Sequence, residues 1–295
     1  MNNQFSILSN NNQKKRVETI VAMAVYHADH VVWLKEAISS ITTQDYRDFL
    51  FVIVVDGSVP KVILDTVLDA SKQDSRIVVA QNSGNVGLAS SMNSAAEFGL
   101  TFEPQFFVRM DADDICVAHR FEKQITLLNK HADVDVLGSA LWEIDEQGNR
   151  VGIRRLSLTH SKLLNAFSRR CPINHPTVAI RYNVFMRGHR YLTNMLNTQD
   201  YFLWIALAKD GCKFANVKEP LLHFRRINGF YKRRGRGKSL NEFKARLLAM
   251  DGLKQRTLQN YCYALFVLTL RMMPSWVIKV AYKADRFILS LNKHN

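Results

Sequence analysis

Nowhere does the chain hold a run of about 18 uncharged apolar residues, so no segment reads as a membrane-spanning helix. Paired cysteines are also missing. The four present, Cys116, Cys171, Cys212 and Cys262, are scattered with no CxxC spacing, which argues against a disulfide framework or a thiolate metal site. They read as reduced thiols of a cytosolic protein. No secretory signal is evident at the start either: Met1 to Asn12 is polar and rich in Asn, and residues 1–16 are expected to form a loose tail. Acidic residues are in short supply, 26 Asp and Glu against 40 Lys and Arg, leaving a net charge of +14. Such an excess favours polyanionic partners: nucleic acid, anionic lipid headgroups or phosphorylated substrates. Composition alone does not choose among them. What remains is ordinary for a globular protein, with 47% hydrophobic and 22% charged residues, which argues against disorder. A length of 295 residues suits one large domain, alone or with an appendage.

From about residue 17 to Gly138, apolar runs alternate with helical periods. Thr19–Val25 is rich in β-branched residues and predicts a buried strand, after which Trp33, Ala37, Ile38 and Ile41 recur at helical spacing. Phe49–Val55 predicts a second strand that stops at the turn signal Asp56-Gly57-Ser58. Val62–Ala70 and Leu88–Phe98 read as helices, Arg76–Ala80 and Phe106–Met110 as strands. Alternation of this kind implies βαβ units on a mostly parallel sheet, hence an α/β fold. Ligands of open α/β sheets bind beyond the carboxyl ends of the strands. Three polar groups are expected to converge there: Tyr26-His27, Asp56-Gly57-Ser58 and Asp111-Ala112-Asp113-Asp114. A second part, 139–224, holds a strand near Val134–Leu141, a hairpin turn at Gln147-Gly148-Asn149 and an amphipathic helix over Asp200–Lys209.

Asp111, Asp113 and Asp114 crowd together after an apolar strand, and their repulsion is relieved by a divalent cation or by basic neighbours. Carboxylates plus substrate phosphates are the usual Mg²⁺ or Mn²⁺ arrangement for diphosphate chemistry. The alternative is that these aspartates cap the helix containing Arg120, Phe121 and Gln124. A phosphatase of the haloacid dehalogenase type also places DxD after a strand. It does so on its first strand, with Thr or Val two residues after the second Asp, whereas here the strand is the fourth and the residue is Ile115.

Five ordered blocks carry a resemblance: Met23-Ala24-Val25-Tyr26-His27; Val54-Val55-Asp56-Gly57-Ser58; Asn85-Val86-Gly87-Leu88-Ala89 with Asn93; Arg109-Met110-Asp111-Ala112-Asp113-Asp114; and Thr198-Gln199-Asp200-Tyr201-Phe202-Leu203-Trp204. Together, from about Thr19 to Phe224, they resemble glycosyltransferase family 2, in particular bacterial enzymes that assemble O-antigen and other surface polysaccharides. The resemblance implies a GT-A, Rossmann-like nucleotide-binding sheet with helices on both faces. It also implies inverting transfer of a sugar from a nucleotide-sugar donor, a UDP-sugar first, with dTDP and GDP donors left open. On this likeness Tyr26, Asp56, Asn85, Gly87, Arg109 and Asp111 line the nucleotide and donor site. Asp113 binds Mn²⁺ or Mg²⁺, with Asp111 and His223 as further candidates. Asp200 is the general base that accepts the acceptor hydroxyl's proton; its alternative reading is an N-cap. His175, in Asn174-His175-Pro176-Thr177, reads as acceptor-side or architectural. The family's paired acidic residues appear here as Val55-Asp56 and Gln199-Asp200, so one carboxylate of each pair is replaced.

Residues 225–240 are basic and glycine-bearing, and Arg225, Arg226 and Arg233 are candidates to meet phosphate on a mobile loop. Residues 241–295 read as a C-terminal helical appendage. Within it Trp276–Leu291 mixes Trp276, Val277, Val280 and Phe287 with Lys279, Lys283 and Arg286, the pattern of a helix lying on an anionic membrane surface. A helix pair packed on the domain, or a dimer contact, is the alternative. The combined expectation is an enzyme at the cytoplasmic face of the inner membrane whose acceptor is a polyprenyl-diphosphate-linked glycan. Two rivals stand beside it: another nucleotide-sugar or phosphate-transfer enzyme, and a non-catalytic basic protein binding membrane or nucleic acid. No recognised nucleic-acid-binding fold accompanies the charge, so nucleic acid is not expected. Donor sugar, linkage and oligomeric state are not encoded in any of these motifs.

Overall fold

All eight residues of Phe49–Asp56 are buried. An apolar run without alternation needs cover on both faces, which is the environment of a central parallel strand. The structure, a computed structural model, describes residues 5–195, 197–227 and 236–273. Its first half runs β1 (Phe5–Asn10), β2 (Thr19–Val25), α1 (Val31–Thr42), β3 (Phe49–Asp56), α2 (Lys61–Gln73), β4 (Ile77–Asn82), α3 (Gly87–Gly99), β5 (Phe106–Asp111), β6 (Ile115–Cys116) and α4 (Arg120–Lys130). The second half runs β7 (Val136–Ile144), β8 (Arg150–Arg154), α5 (His160–Ala166), β9 (Ala179–Arg181), α6 (Asn183–Met186), α7 (Gln199–Lys209), β10 (Phe214–Arg225), α8 (Arg236–Gly252) and α9 (Leu258–Met272).

One sheet holds the strands in the order β1-β4-β3-β2-β5-β9-β7-β10-β6, with β8 hairpinned onto β7. The stretch β4-β3-β2-β5 is parallel, and β9 joins it antiparallel to β7 and β10. Two apolar layers follow from the period-two alternation of the central strands. One face packs Val21, Met23, Phe51 and Ile53 under α1, α2 and α4; the other packs Ile20, Ala22, Val52 and Val54 under α3 and α7. Because β3, β2 and β5 are parallel neighbours, with Val25 opposite Val55 and Ala24 opposite Asp111, their carboxyl ends come together. The three polar groups expected to converge therefore do.

Three expectations differ from what is observed. Residues 5–10, expected in a loose tail, form β1, which pairs antiparallel with β4 and seats Phe5 against Phe98. It covers the edge that β4 would otherwise leave unpaired. The helix expected to be amphipathic, α7, is buried nearly all round, with Tyr201, Phe202, Leu203, Trp204, Ile205 and Leu207 enclosed between the sheet and α8. The basic loop is shorter than expected at both ends: Arg225 closes β10, and α8 begins at Arg236. Arg233 and Trp276–Leu291 lie outside the described residues. All four cysteines are free.

Candidate active site

The turn after β3 and the turn before α3 meet backbone to backbone. Asp56 joins them: one of its oxygens accepts from Asn82 Nδ2 and the Val86 amide (both 3.0 Å), the other from the Gly87 amide at 2.8 Å. These amides belong to the first turn of α3, where unpaired N–H groups and the helix dipole favour an anion. Asp56 thus caps α3 from a distance and shapes the wall expected to meet the nucleobase, with both its oxygens already engaged. Gly57 and Gly87 adopt φ values of +79° and +84°, a region suited to glycine. Asn85 stands exposed at the lip and Tyr26 is exposed at the end of β2.

Asp111, Asp113 and Asp114 place one oxygen each within 4.8 Å of one another. Burial and the neighbouring Asp111 raise the Asp113 carboxyl to about 6. Burial, then Asp113 and Asp111, push Asp114 well above the usual carboxylate range. Asp114 accepts the Arg225 amide at 2.9 Å through one oxygen, while its other oxygen is buried without a partner. Hard oxygen donors, mutual repulsion and an orphaned carboxylate oxygen together fit a divalent cation of the Mg²⁺ or Mn²⁺ type. His223 is not part of this group: it lies on β10 with Nε2 buried and unpartnered, and burial lowers its pKa.

A fourth carboxylate was missed. Asp29 accepts the Tyr26 amide at 2.9 Å, and burial raises it to about 7, with Asp113 and Asp111 adding to the rise. The signal available was its place three residues beyond Tyr26, just past a strand end.

Arg225 is not a free phosphate ligand on a loop. Its guanidinium is buried: Nε donates to the Asp113 carbonyl (3.0 Å), Nη1 to the Glu146 carbonyl (3.1 Å), and Nη2 pairs with Glu36 at 2.6 Å over the Trp33 ring. Every nitrogen is engaged, so Arg225 ties the acidic loop to α1. Arg226 likewise joins Arg154 in pairing with the buried Glu143.

On the α3 and α7 face, Arg109 is buried and pairs with Asp111, while its Nε and Nη1 have no partner. Its charge lowers the pKa of Asp113 and also that of Asp200. Asp200, in the first turn of α7, has its carboxyl raised by burial, opposed by the Tyr201 amide and by the charges of Arg109 and Lys238. The Cys171 thiol lies 3.9 Å from its carboxylate. His175 is enclosed, with Nε2 3.1 Å from the Tyr191 hydroxyl and its ring edge-on to Trp204. Burial and Arg109 drive its pKa far down, so it stands as a neutral ring. Tyr191 is held in turn by a reciprocal pair with Asn93, both bonds 2.9 Å. The Asn93–Tyr191–His175–Trp204 chain of contacts links α3 to α7.

The family model described as Glycosyl transferase family 2 matches residues 20–187. Among curated proteins, the chain is 31% identical over 227 residues to UDP-Gal:alpha-D-GlcNAc-diphosphoundecaprenol beta-1,3-galactosyltransferase of Escherichia coli, covering 76% of this chain and 80% of that one. It is 27% identical to the amylovoran biosynthesis glycosyltransferase AmsE of Erwinia amylovora, covering 90% and 98%. Among solved structures, TarS 1–349 of S. aureus in complex with UDP-GlcNAc superposes with a TM-score of 0.59 at 15% identity, covering 88% of this chain and 82% of that one. The mannosyltransferase PcManGT from Pyrobaculum calidifontis, in complex with GDP-Man and Mn²⁺, gives 0.57 at 12% identity, covering 98% and 84%.

Proposed function

The chain belongs to glycosyl transferase family 2 and has the GT-A fold, and we propose that it transfers a hexosyl or N-acetylhexosaminyl group from a UDP-sugar, with inversion, to a polyprenyl-diphosphate-linked glycan in the assembly of a bacterial surface polysaccharide. The observation that carries this reading is the buried Arg109, which touches Asp111 and whose charge favours the ionised form of Asp200. A carboxylate cluster suited to a cation and a shielded carboxylate suited to a proton thus share one cationic neighbour. The UDP and lipid-linked parts of the reading draw on the names of the Escherichia coli and TarS relatives.

Asp200 accepts the proton of the acceptor hydroxyl as that oxygen attacks the anomeric carbon, and the nucleoside diphosphate leaves from the opposite face. Burial makes the Asp200 carboxyl more basic, and the charges of Arg109 and Lys238 oppose that rise. Asp113, with Asp111 and Asp114, would hold Mg²⁺ or Mn²⁺, which offsets charge growing on the leaving diphosphate. Asp56, Asn85 and Gly87 form the wall against the nucleoside, and Tyr26 stands at its edge. We place the enzyme at the cytoplasmic face of the inner membrane.

The test is calorimetric titration of UDP, dTDP and GDP, each with and without Mn²⁺, alongside transfer assays. Asp200→Asn should keep Mn²⁺-dependent UDP binding while kcat falls roughly 10²–10⁴-fold. Asp113→Ala should lose the metal-dependent part of binding. An Asp200→Asn enzyme of near-normal kcat would remove the base from the scheme.

A further inference from the structure

Along α9, Leu258, Tyr261, Leu265, Phe266 and Met272 are between 42% and 81% exposed. Their spacing puts them on one stripe of the helix, opposite the buried Asn260 and Ala264. Large apolar side chains collected on one outward face mark a contact surface, not chance exposure. The helix beneath the stripe is firmly seated. Arg246 and Arg271 of α8 and α9 both pair with Glu242, Arg246 Nε donates to the Arg169 carbonyl at 2.9 Å, and Gln255 Nε2 donates to the Leu164 carbonyl at 2.8 Å. α8 in turn packs on α7, which carries Asp200. The stripe is therefore held rigidly on the acceptor side of the molecule.

Charge identifies what the stripe meets. Residues 225–295 contain 16 Lys and Arg against three Asp and Glu, a net of +13 out of the chain's +14, although Arg225, Arg226 and Arg246 of these pair with Glu36, Glu143 and Glu242 inside the fold. The remaining 224 residues are nearly neutral. An apolar stripe set within a segment of such charge suits a surface that is apolar beneath and anionic on top. Two copies meeting through this segment would bring like charges together, which opposes self-association.

We propose that the outward face of α9 seats the enzyme on an anionic lipid bilayer, with Leu265 and Phe266 entering the headgroup–acyl boundary. This rests on the reading that the acceptor is lipid-linked and names the surface that brings the base to it.

Cys262 adjoins the stripe and is the exposed one of the four free cysteines, so an environment-sensitive fluorophore attached there reports its surroundings. The full-length labelled protein is titrated with phosphatidylglycerol-containing vesicles and with pure phosphatidylcholine vesicles. A blue shift on the anionic vesicles, weakened by high salt, is expected. The pair Leu265→Gln and Phe266→Gln, both exposed and outside the core, should weaken partition about tenfold or more. That variant should still bind UDP and act on a water-soluble acceptor analogue while losing transfer to a vesicle-embedded one. No shift with either vesicle overturns the proposal. So does a label already in apolar surroundings and indifferent to lipid, which would mean residues 274–295 cover the stripe, or a shift that follows protein concentration without lipid, which would mean a second copy does. Loss of UDP binding in the unsubstituted chain would instead count against the glycosyl-transfer reading.

Discussion

Replacing Gly57 by Ala tests how tightly the nucleotide wall is built. Gly57 has φ +79°, and a Cβ there would stand 2.6 Å from the Asn85 amide nitrogen and 2.8 Å from the Gly84 carbonyl carbon. Both are backbone atoms, so no side chain can swing aside. The left-handed conformation alone costs an L-residue about 1–2 kcal/mol. Relieving the clash requires the 84–87 turn to move, and that turn is held by the Asp56 carboxylate through the Val86 and Gly87 amides. Hydrogen bonds to a charged acceptor are worth about 1.5–3 kcal/mol each, so losing one brings the total to roughly 2.5–5 kcal/mol.

Two neighbours separate the components. Gly87 has φ +84° but nothing within 4 Å of its Cβ position, so Gly87→Ala should cost only the conformational part, about 1–2 kcal/mol. Gly84 has open space and an ordinary φ, so Gly84→Ala should stay within about 0.5 kcal/mol of the parent. Urea unfolding of the three variants, with m values compared, gives the order Gly57, Gly87, Gly84. UDP titration should show the largest affinity loss for Gly57→Ala. Equal costs for Gly57→Ala and Gly87→Ala would refute the backbone clash as the cause. A Gly57→Ala protein with normal UDP affinity would refute the turn as part of the nucleotide site.

Arg225→Ala should cost roughly 2–4 kcal/mol, because it strips the Asp113 and Glu146 carbonyls of their donor and unpairs Glu36. Mn²⁺ affinity should fall with it, and Arg225→Lys, which restores charge without the fork of contacts, should recover little; unchanged metal affinity in a calorimetric titration would show that the tie to α1 does not position the acidic loop. The carboxylate group also sets a pH dependence whose sign reverses with metal. Asp29 and Asp113 are raised to about 7 and about 6, so in the metal-free protein their contribution is fully present near pH 4 and is lost as pH rises through 6–7. The limiting slope is about 1.4 kcal/mol per pH unit per group. With Mn²⁺, binding displaces those protons, so Tm should instead rise over the same window; Asp29→Asn should flatten the metal-free slope, and a metal-free Tm that climbs from pH 5 to 8 would contradict the assignment.

What could be read in advance followed from local chemistry. Phe49–Asp56 and, apart from Arg109, Phe106–Asp111 are runs of apolar residues ended by aspartate, so both the strands and the end of the sheet where the aspartates gather were legible without coordinates. What could not be read depended on partners distant in sequence. β1 is six residues, mostly exposed, with no apolar alternation of its own; it exists because β4, some 70 residues on, offers an unpaired edge. Arg225 sits in a basic run that reads as solvated, yet its partners are Glu36, Asp113 and Glu146. α7 reads as amphipathic until α8 closes over it.

The aspartates make the same point at the level of chemistry. Asp56, Asp114 and Asp200 share a residue type and a place near strand or helix ends, and sequence alone could label each as a cap or as a functional carboxylate. Asp56 has both oxygens taken by N–H groups, so its charge is committed to holding a turn. Asp114 keeps one buried oxygen without a partner, beside two further carboxylates. Asp200 receives the Tyr201 amide and its own, and two cations oppose the effect of its burial. A carboxylate whose oxygens accept N–H groups is held ionised in place, whereas one left short of donors in a buried site must find a cation or a proton.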